Sequence, residues 1–191
     1  IDYYDMIFKK WTFSQEHNFS VNGGTKKLNY YASFNYLDQG GFMNLGEEGL
    51  SRYNGTAKIG SELTKWLKFD YTMRFTREDY KRPATMTNSL YSDMARQGWP
   101  VLPLYDPNGY YFYAPSPILG LAEGGTGKIQ TDNMYHQVSF TFEPVKDWIT
   151  HVDFNYRIKS ANNYWDKQVL YNHDVEGNAY ACDKYSNVHE D

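Results

Sequence analysis

The sequence predicts an all-β chain: an antiparallel up-and-down transmembrane β-barrel segment of about six strands. Three observations lead there. Apolar and polar residues alternate with a period of two wherever the chain shows any periodicity, which is the mark of a strand with two chemically different faces. The connections alternate between short turns and long loops. Aromatic residues, 18% of the chain, recur near strand ends, where a membrane boundary needs rings that are apolar on one side and wet on the other.

The first strand covers 15–22 and closes on Asn18-Phe19-Ser20-Val21-Asn22 before a glycine turn. The second, 27–37, puts Leu28, Tyr30, Ala32, Phe34 and Tyr36 on one face. The third covers 52–63. The fourth, 67–76, is the clearest, with Leu67, Phe69, Tyr71, Met73 and Phe75 opposed to Lys68, Asp70, Thr72, Arg74 and Thr76. The fifth covers 134–143. The sixth, 148–159, alternates Trp148, Val152, Phe154, Tyr156 and Ile158 with His151, Asp153, Asn155, Arg157 and Lys159; only Ile149 and Thr150 break the pattern.

Turns at 23–26, 64–66 and 144–147 are short, and glycine or proline supplies turn chemistry in the first and last. Long loops fill 38–51 and 77–133, and 160–191, which shows no recognisable strand or helix, stands where a third belongs. Short turns thus share one end of the sheet and long loops the other. Outer-membrane barrels segregate connection lengths in this way, whereas a soluble sandwich has no reason to. Ten residues at ~3.3 Å each, tilted by ~40°, rise about 25 Å, the height of such a barrel's apolar band. Trp66 and Trp148 beside the short turns, with Tyr36 and Tyr53 at the other ends, fit the two aromatic girdles.

Composition removes several other classes. No apolar run approaches the ~18 residues of a spanning helix, and the mean hydropathy is −0.73. Abundant β-branched and aromatic residues with a net charge of −4 argue against disorder. A pI near 5.7 gives no electrostatic basis for nucleic acid as a partner. The single cysteine, Cys182, forms no internal disulfide. The first residues, Ile1-Asp2-Tyr3, carry no signal peptide, and six strands are fewer than the ~8 that close a transmembrane barrel. The expectation is therefore an internal stretch of a longer polypeptide that supplies the remaining strands.

The polar face carries Lys68, Asp70, Arg74, Asp153, Asn155 and Arg157, with Lys58, Glu62, Glu143 and Lys159. In a barrel these line the lumen, where they meet a polar solute or satisfy one another across strands. Candidate substrate-binding residues lie in the long loop: Trp99, Tyr105, Asp106, Asn108, Tyr110, Tyr111 and Tyr113. Aromatic faces beside amide and carboxylate groups suit sugars, which stack on rings and hydrogen-bond through hydroxyls; the same rings equally serve to pack the loop. Asp106-Pro107-Asn108-Gly109 reads as a β-turn rather than a calcium loop. His136 on the apolar face, near the long-loop end of its strand, and His151 on the polar face near a short turn do not converge, so no metal site is expected. There is no phosphate-binding glycine loop and no nucleophile elbow. No catalytic residue and no cofactor are assigned, and the chain is not read as an enzyme.

One stretch is more specific than periodicity. Gln15-Glu16-His17-Asn18-Phe19-Ser20-Val21-Asn22-Gly23-Gly24-Thr25-Lys26-Lys27-Leu28-Asn29-Tyr30-Tyr31-Ala32-Ser33-Phe34-Asn35-Tyr36-Leu37-Asp38-Gln39-Gly40-Gly41 resembles the early barrel hairpin of SusC-like TonB-dependent outer-membrane transporters. Arg52-Tyr53-Asn54, Thr64-Lys65-Trp66-Leu67-Lys68, Leu104-Tyr105-Asp106-Pro107-Asn108-Gly109 and Glu143-Pro144-Val145-Lys146-Asp147-Trp148 are similar to later segments of the same family, and Tyr4-Asp5-Met6-Ile7-Phe8 to the segment before the hairpin. The resemblance implies part of a 22-stranded barrel of a Bacteroidetes outer membrane, with the plug domain outside this chain. It implies TonB and a SusD-like surface lipoprotein as partners and an oligosaccharide or peptide as imported solute. Two rivals remain open: a soluble all-β carbohydrate-binding module, and a passive porin or adhesin barrel.

Overall fold

A computed structural model describes residues 2–88, 90–97, 103–112, 117–181 and 188–190. Elements follow in the order α1 (Tyr3–Ile7), β1 (Ser14–Gly24), β2 (Leu28–Gly40), β3 (Gly49–Thr64), β4 (Leu67–Pro83), α2 (Leu90–Gln97), α3 (Ile118–Glu123), β5 (Gly125–Val145), β6 (Trp148–Lys167), β7 (Tyr171–His173), β8 (Ala179–Ala181) and β9 (Val188–Glu190). The fold is all-β. β1 to β6 pair in sequence order, every pair antiparallel, and β9 adds a short seventh strand beyond β6. Among the described residues this up-and-down sheet is open, since β1 pairs only with β2.

All six predicted strands are present, but they run further than their alternation. β3 begins at Gly49, β4 reaches Pro83, β5 starts at Gly125 and β6 reaches Lys167. The predicted loops 38–51, 77–133 and 160–191 are shorter by the same extensions. The reason is that the backbone ladder does not need alternating side chains. Arg77 to Lys81 and Lys128 to Asp132 are polar on nearly every position, yet pair residue for residue. The tail is also not structureless, because β7 and β8 form a separate hairpin within it. His136 lies mid-strand rather than near the loop end, opposite Met73 and Tyr156, and its Nδ1 is 2.8 Å from the Tyr71 hydroxyl.

The register carries the apolar face intact across the sheet. One row reads Phe19, Phe34, Gly55, Phe75, Met134, Ile158, and another Val21, Ala32, Ala57, Met73, His136, Tyr156. Bulges at Glu62/Thr64 and Phe142/Val145 absorb the turns without shifting these rows. Apart from Pro83 at the outer end of β4, no apolar side chain of β1–β6 is buried; Phe19 is 71% exposed and Phe154 62%. Burying a large apolar side chain is worth about 1.5–3 kcal/mol, so this face forgoes a large stabilisation unless something covers it.

The buried core lies in the connections. Tyr3, Ile7, Met43, Leu90, Ile118 and Leu121 pack together, with Met6, Phe8, Leu45 and Met86 against them. Asp2 caps α1 by accepting from the Tyr4 and Asp5 amides. The chain then pairs with the β2–β3 loop, Asn44 N–H donating to the Ile7 carbonyl at 2.7 Å. Gly46, at φ +73°, lets that loop press on Leu121 and Pro83. A small packed cap thus sits over the long-loop end.

Candidate functional site

The polar face is a hydrogen-bonded wall. Asn18, Asn35, Asn54, Thr76 and Asn133 fall in one cross-strand row. Thr76 Oγ1 donates to Asn54 Oδ1 at 2.9 Å, Asn54 Nδ2 to Asn35 Oδ1 at 2.9 Å, and Asn35 Nδ2 to Asn18 and to Glu16. The donors therefore all point toward β1. The six residues predicted for the lumen share this face, and five of them engage neighbours. Lys68 pairs with Glu62 at 3.2 Å, Arg74 lies over the Tyr135 ring, Asp153 accepts from Ser139, Asn155 from Tyr135, and Arg157 Nε donates to Asn133 Oδ1 at 2.9 Å. Asp70 folds over the bare Cα of Gly60 beside Asn29. Cross-strand satisfaction thus accounts for most of these polar groups.

The apolar face ends at the girdle positions. Tyr36 and Tyr53 are register partners with ring centroids 5.0 Å apart, and Trp66 and Trp148 stand exposed at the short-turn end. Beside Tyr53, Arg77 grips Asp132 through two hydrogen bonds of 2.7 and 2.8 Å. One step further out, the same face is polar in every strand, with Asp38, Ser51, Asp79, Gln130 and Asn162 in register. The change from apolar to polar thus falls at the Arg77–Asp132–Ser160 row on β4–β6 and one row further out on β2 and β3.

The predicted loop residues divide. Trp99 and Tyr113 lie outside the described residues. Tyr105, Asp106, Asn108, Tyr110 and Tyr111 come together on a tight turn closed by a Tyr105–Tyr111 bridge. Asp106 is buried and serves as the turn's scaffold, its Oδ1 accepting from the Asn108 and Tyr110 amides at 2.8 and 3.0 Å. Asn108 reaches out, Nδ2 donating to the Asp174 carbonyl at 2.7 Å. Tyr105 stacks on Tyr111, and Tyr110 lies flat on His173 with centroids 4.0 Å apart. Burial and the hydrogen bond with Tyr105 push the Tyr111 phenol above its ordinary pKa. Tyr105 and Tyr110 each keep about half of their surface in solvent and present ring faces on which a sugar could stack.

The β7–β8 hairpin is the part that sequence reasoning missed. Its turn repeats the first one bond for bond. Asp174 Oδ1 accepts from the Glu176 and Asn178 amides, both at 2.9 Å, and Gly177, at φ +88°, matches Gly109 at φ +90°. The signal was present as the spacing D-x-x-G, at Asp106–Gly109 and again at Asp174–Gly177. Hydrogen bonds from Asn178, with backbone amides behind them, hold the Asp174 carboxyl below the usual carboxylate range.

No protein-family model matches this chain, and comparison with curated proteins likewise yields no match. Among the described residues no three His, Cys, Asp or Glu side chains come together as a metal site. Among the described residues no helix is long and apolar enough to cross a membrane, which says nothing about crossing by strands.

Proposed function

We propose that the six long strands form part of the wall of an outer-membrane β-barrel of a Gram-negative bacterium, and that the barrel imports a bulky polar nutrient. One observation carries this reading: an apolar face runs in register across all six strands with none of its large side chains buried, bounded by Tyr36 and Tyr53 toward the long loops and by Trp66 and Trp148 toward the short turns. In water that face is a liability; against acyl chains it costs nothing, and the backbone between neighbouring strands is paired, which leaves the β1 edge and most of the β6 edge for further strands. The polar face then lines an aqueous lumen, and the capped loops form part of the outer vestibule. The remaining strands would come from outside these residues.

The resemblance of residues 15–41 to SusC-like transporters supports the rest of the proposal. An oligosaccharide or peptide would be trapped under a SusD-like lipoprotein lid, with TonB acting on a plug domain to open the path. The exposed rings of Tyr105 and Tyr110 suit the sugar alternative.

Single cysteines at Phe154 and Asn155, introduced into the full-length protein after Cys182→Ser has removed the native thiol and labelled in vesicles with an environment-sensitive fluorophore, test the wall. A lipid-borne quencher should quench position 154 strongly and position 155 weakly, with the order reversed for a water-soluble quencher. Equal quenching at both positions would refute the barrel and favour a soluble sandwich. Loss of growth on one glycan or peptide in a deletion strain, restored by the gene, tests import; unchanged growth on every nutrient offered counts against it.

A further inference from the structure

Two turns more than sixty residues apart are built alike and pressed together, and their own hydrogen bonds leave two atoms over. Asp106 spends Oδ1 on the backbone, while its Oδ2 is buried with no hydrogen-bond partner among the described residues. The Nδ1 of His173 is likewise buried without a partner, and the two atoms face each other at 3.5 Å. The carboxylate is 2% exposed and the imidazole 16%, so water does not substitute freely for either. A buried acceptor facing an uncommitted ring nitrogen is stabilised by a proton on that nitrogen, and more so when the ring is charged.

We propose that His173 and Asp106 form a proton-operated latch between the two loop turns. With the imidazole charged, Nδ1–H donates to Oδ2, the pair becomes an ion pair, and the β7–β8 hairpin is drawn onto the 104–112 turn. With the imidazole neutral the contact keeps at most an uncharged donor, and in the tautomer protonated on Nε2 two acceptors oppose each other. The connection after β6 is thereby tied to the one between β4 and β5, across the outer end of the sheet.

The surroundings leave this pair in control. From the facing turn, the groups against the imidazole are the Asp106 carboxylate and the Tyr110 ring. On its own hairpin the neighbouring charge, Asp174, is engaged by Asn178 and the Glu176 amide. No lysine or arginine among the described residues makes an ion pair with Asp106 or His173. The latch does not depend on whether the sheet faces lipid, because it lies wholly within the connections.

Hydrogen–deuterium exchange on the full-length protein tests it, with rates corrected for the intrinsic effect of pH. Protection of segments 104–112 and 171–181 together should be about fivefold greater near pH 5.5 than near pH 7.5, the difference between a charged and a neutral hydrogen bond. His173→Phe keeps a ring against Tyr110, and Asp106→Asn keeps the Oδ1 acceptor; both should abolish the pH response while leaving β2–β5 protected. Wild-type protection that does not change between the two pH values, or a response that survives in His173→Phe, would overturn the proposal.

Discussion

Arg77 holds Asp132 in a two-pronged grip, Nε to Oδ1 at 2.7 Å and a terminal nitrogen to Oδ2 at 2.8 Å, directly across the β4–β5 pair. The pair sits one step beyond Phe75 and Met134, the last residues of the continuous apolar rows on that face. Charge therefore begins as soon as apolar surface stops, and it begins already neutralised.

If that grip fixes the outer edge of the apolar band, removing either charge exposes the other at the boundary. Arg77→Ala and Asp132→Ala should each lower the urea midpoint of the full-length protein in vesicles. The exchange Arg77→Asp with Asp132→Arg should recover most of the loss, because a two-pronged carboxylate–guanidinium contact depends on geometry more than on direction. A double-mutant cycle measures the coupling, which should weaken as salt rises.

The amide row gives a second expectation. Asn54 accepts from Thr76 and donates to Asn35, so Asn54→Ala breaks two bonds in a half-buried row. The cost should be about 1–2 kcal/mol by urea unfolding. Asn54→Asp should cost more than Asn54→Ala, because it keeps the acceptor but turns an oxygen toward Asn35 Oδ1. Thr76→Ala added to Asn54→Ala should cost little further, since their shared bond is already gone.

The six strands and their faces were legible because alternation is strict between Leu67 and Thr76 and nearly so between Trp148 and Lys159, and because each short turn interrupts it. The outward extensions were not, since a strand polar on both faces looks like a loop; only the ladder from Arg77 to Pro83 reveals it. The loop core was hidden for another reason: Ile7, Met43, Leu90, Ile118 and Leu121 come from four separate stretches with no period in common. Among site residues, the β-turn at Asp106 was readable from its own spacing, while His173 is placed only by the docking of two distant turns. Residue type marked Tyr110 as an exposed ring but gave no sign that an imidazole lies beneath it.

Gly127 offers a third test. Trp165 of β6 lies directly across from it, and the ring occupies the space where a Cβ would stand. The opposite face of that arrangement matters too, since the Arg82 guanidinium sits 4.8 Å from the Trp165 ring centre. Gly127→Ala should push the indole off the sheet, loosen Arg82 and cost about 1–3 kcal/mol, the usual range for overpacking. The emission difference between wild type and Trp165→Phe isolates this indole from the other tryptophans. That component should shift to longer wavelength in Gly127→Ala, and an unshifted component with unchanged stability would show that the ring has room.

The last expectation follows from the Asp174 turn and runs opposite to the latch. A carboxyl held below its ordinary pKa in the folded state contributes stability that is fully present above the unfolded value and is lost as pH falls through the folded one. Here the leading cause is the Asn178 side chain, followed by the Asn178 backbone amide. Hydrogen exchange in segment 171–181 should therefore accelerate only on the acid side of the normal carboxylate range, well below the pH at which a histidine changes charge. Asn178→Ala removes the first of those bonds while leaving the backbone amides, so it should move this acid transition upward without abolishing it. Protection of the hairpin then passes through a maximum, limited by the His173 contact as pH rises and by Asp174 as it falls. In Asn178→Ala only the acid limb should move, and in His173→Phe only the other.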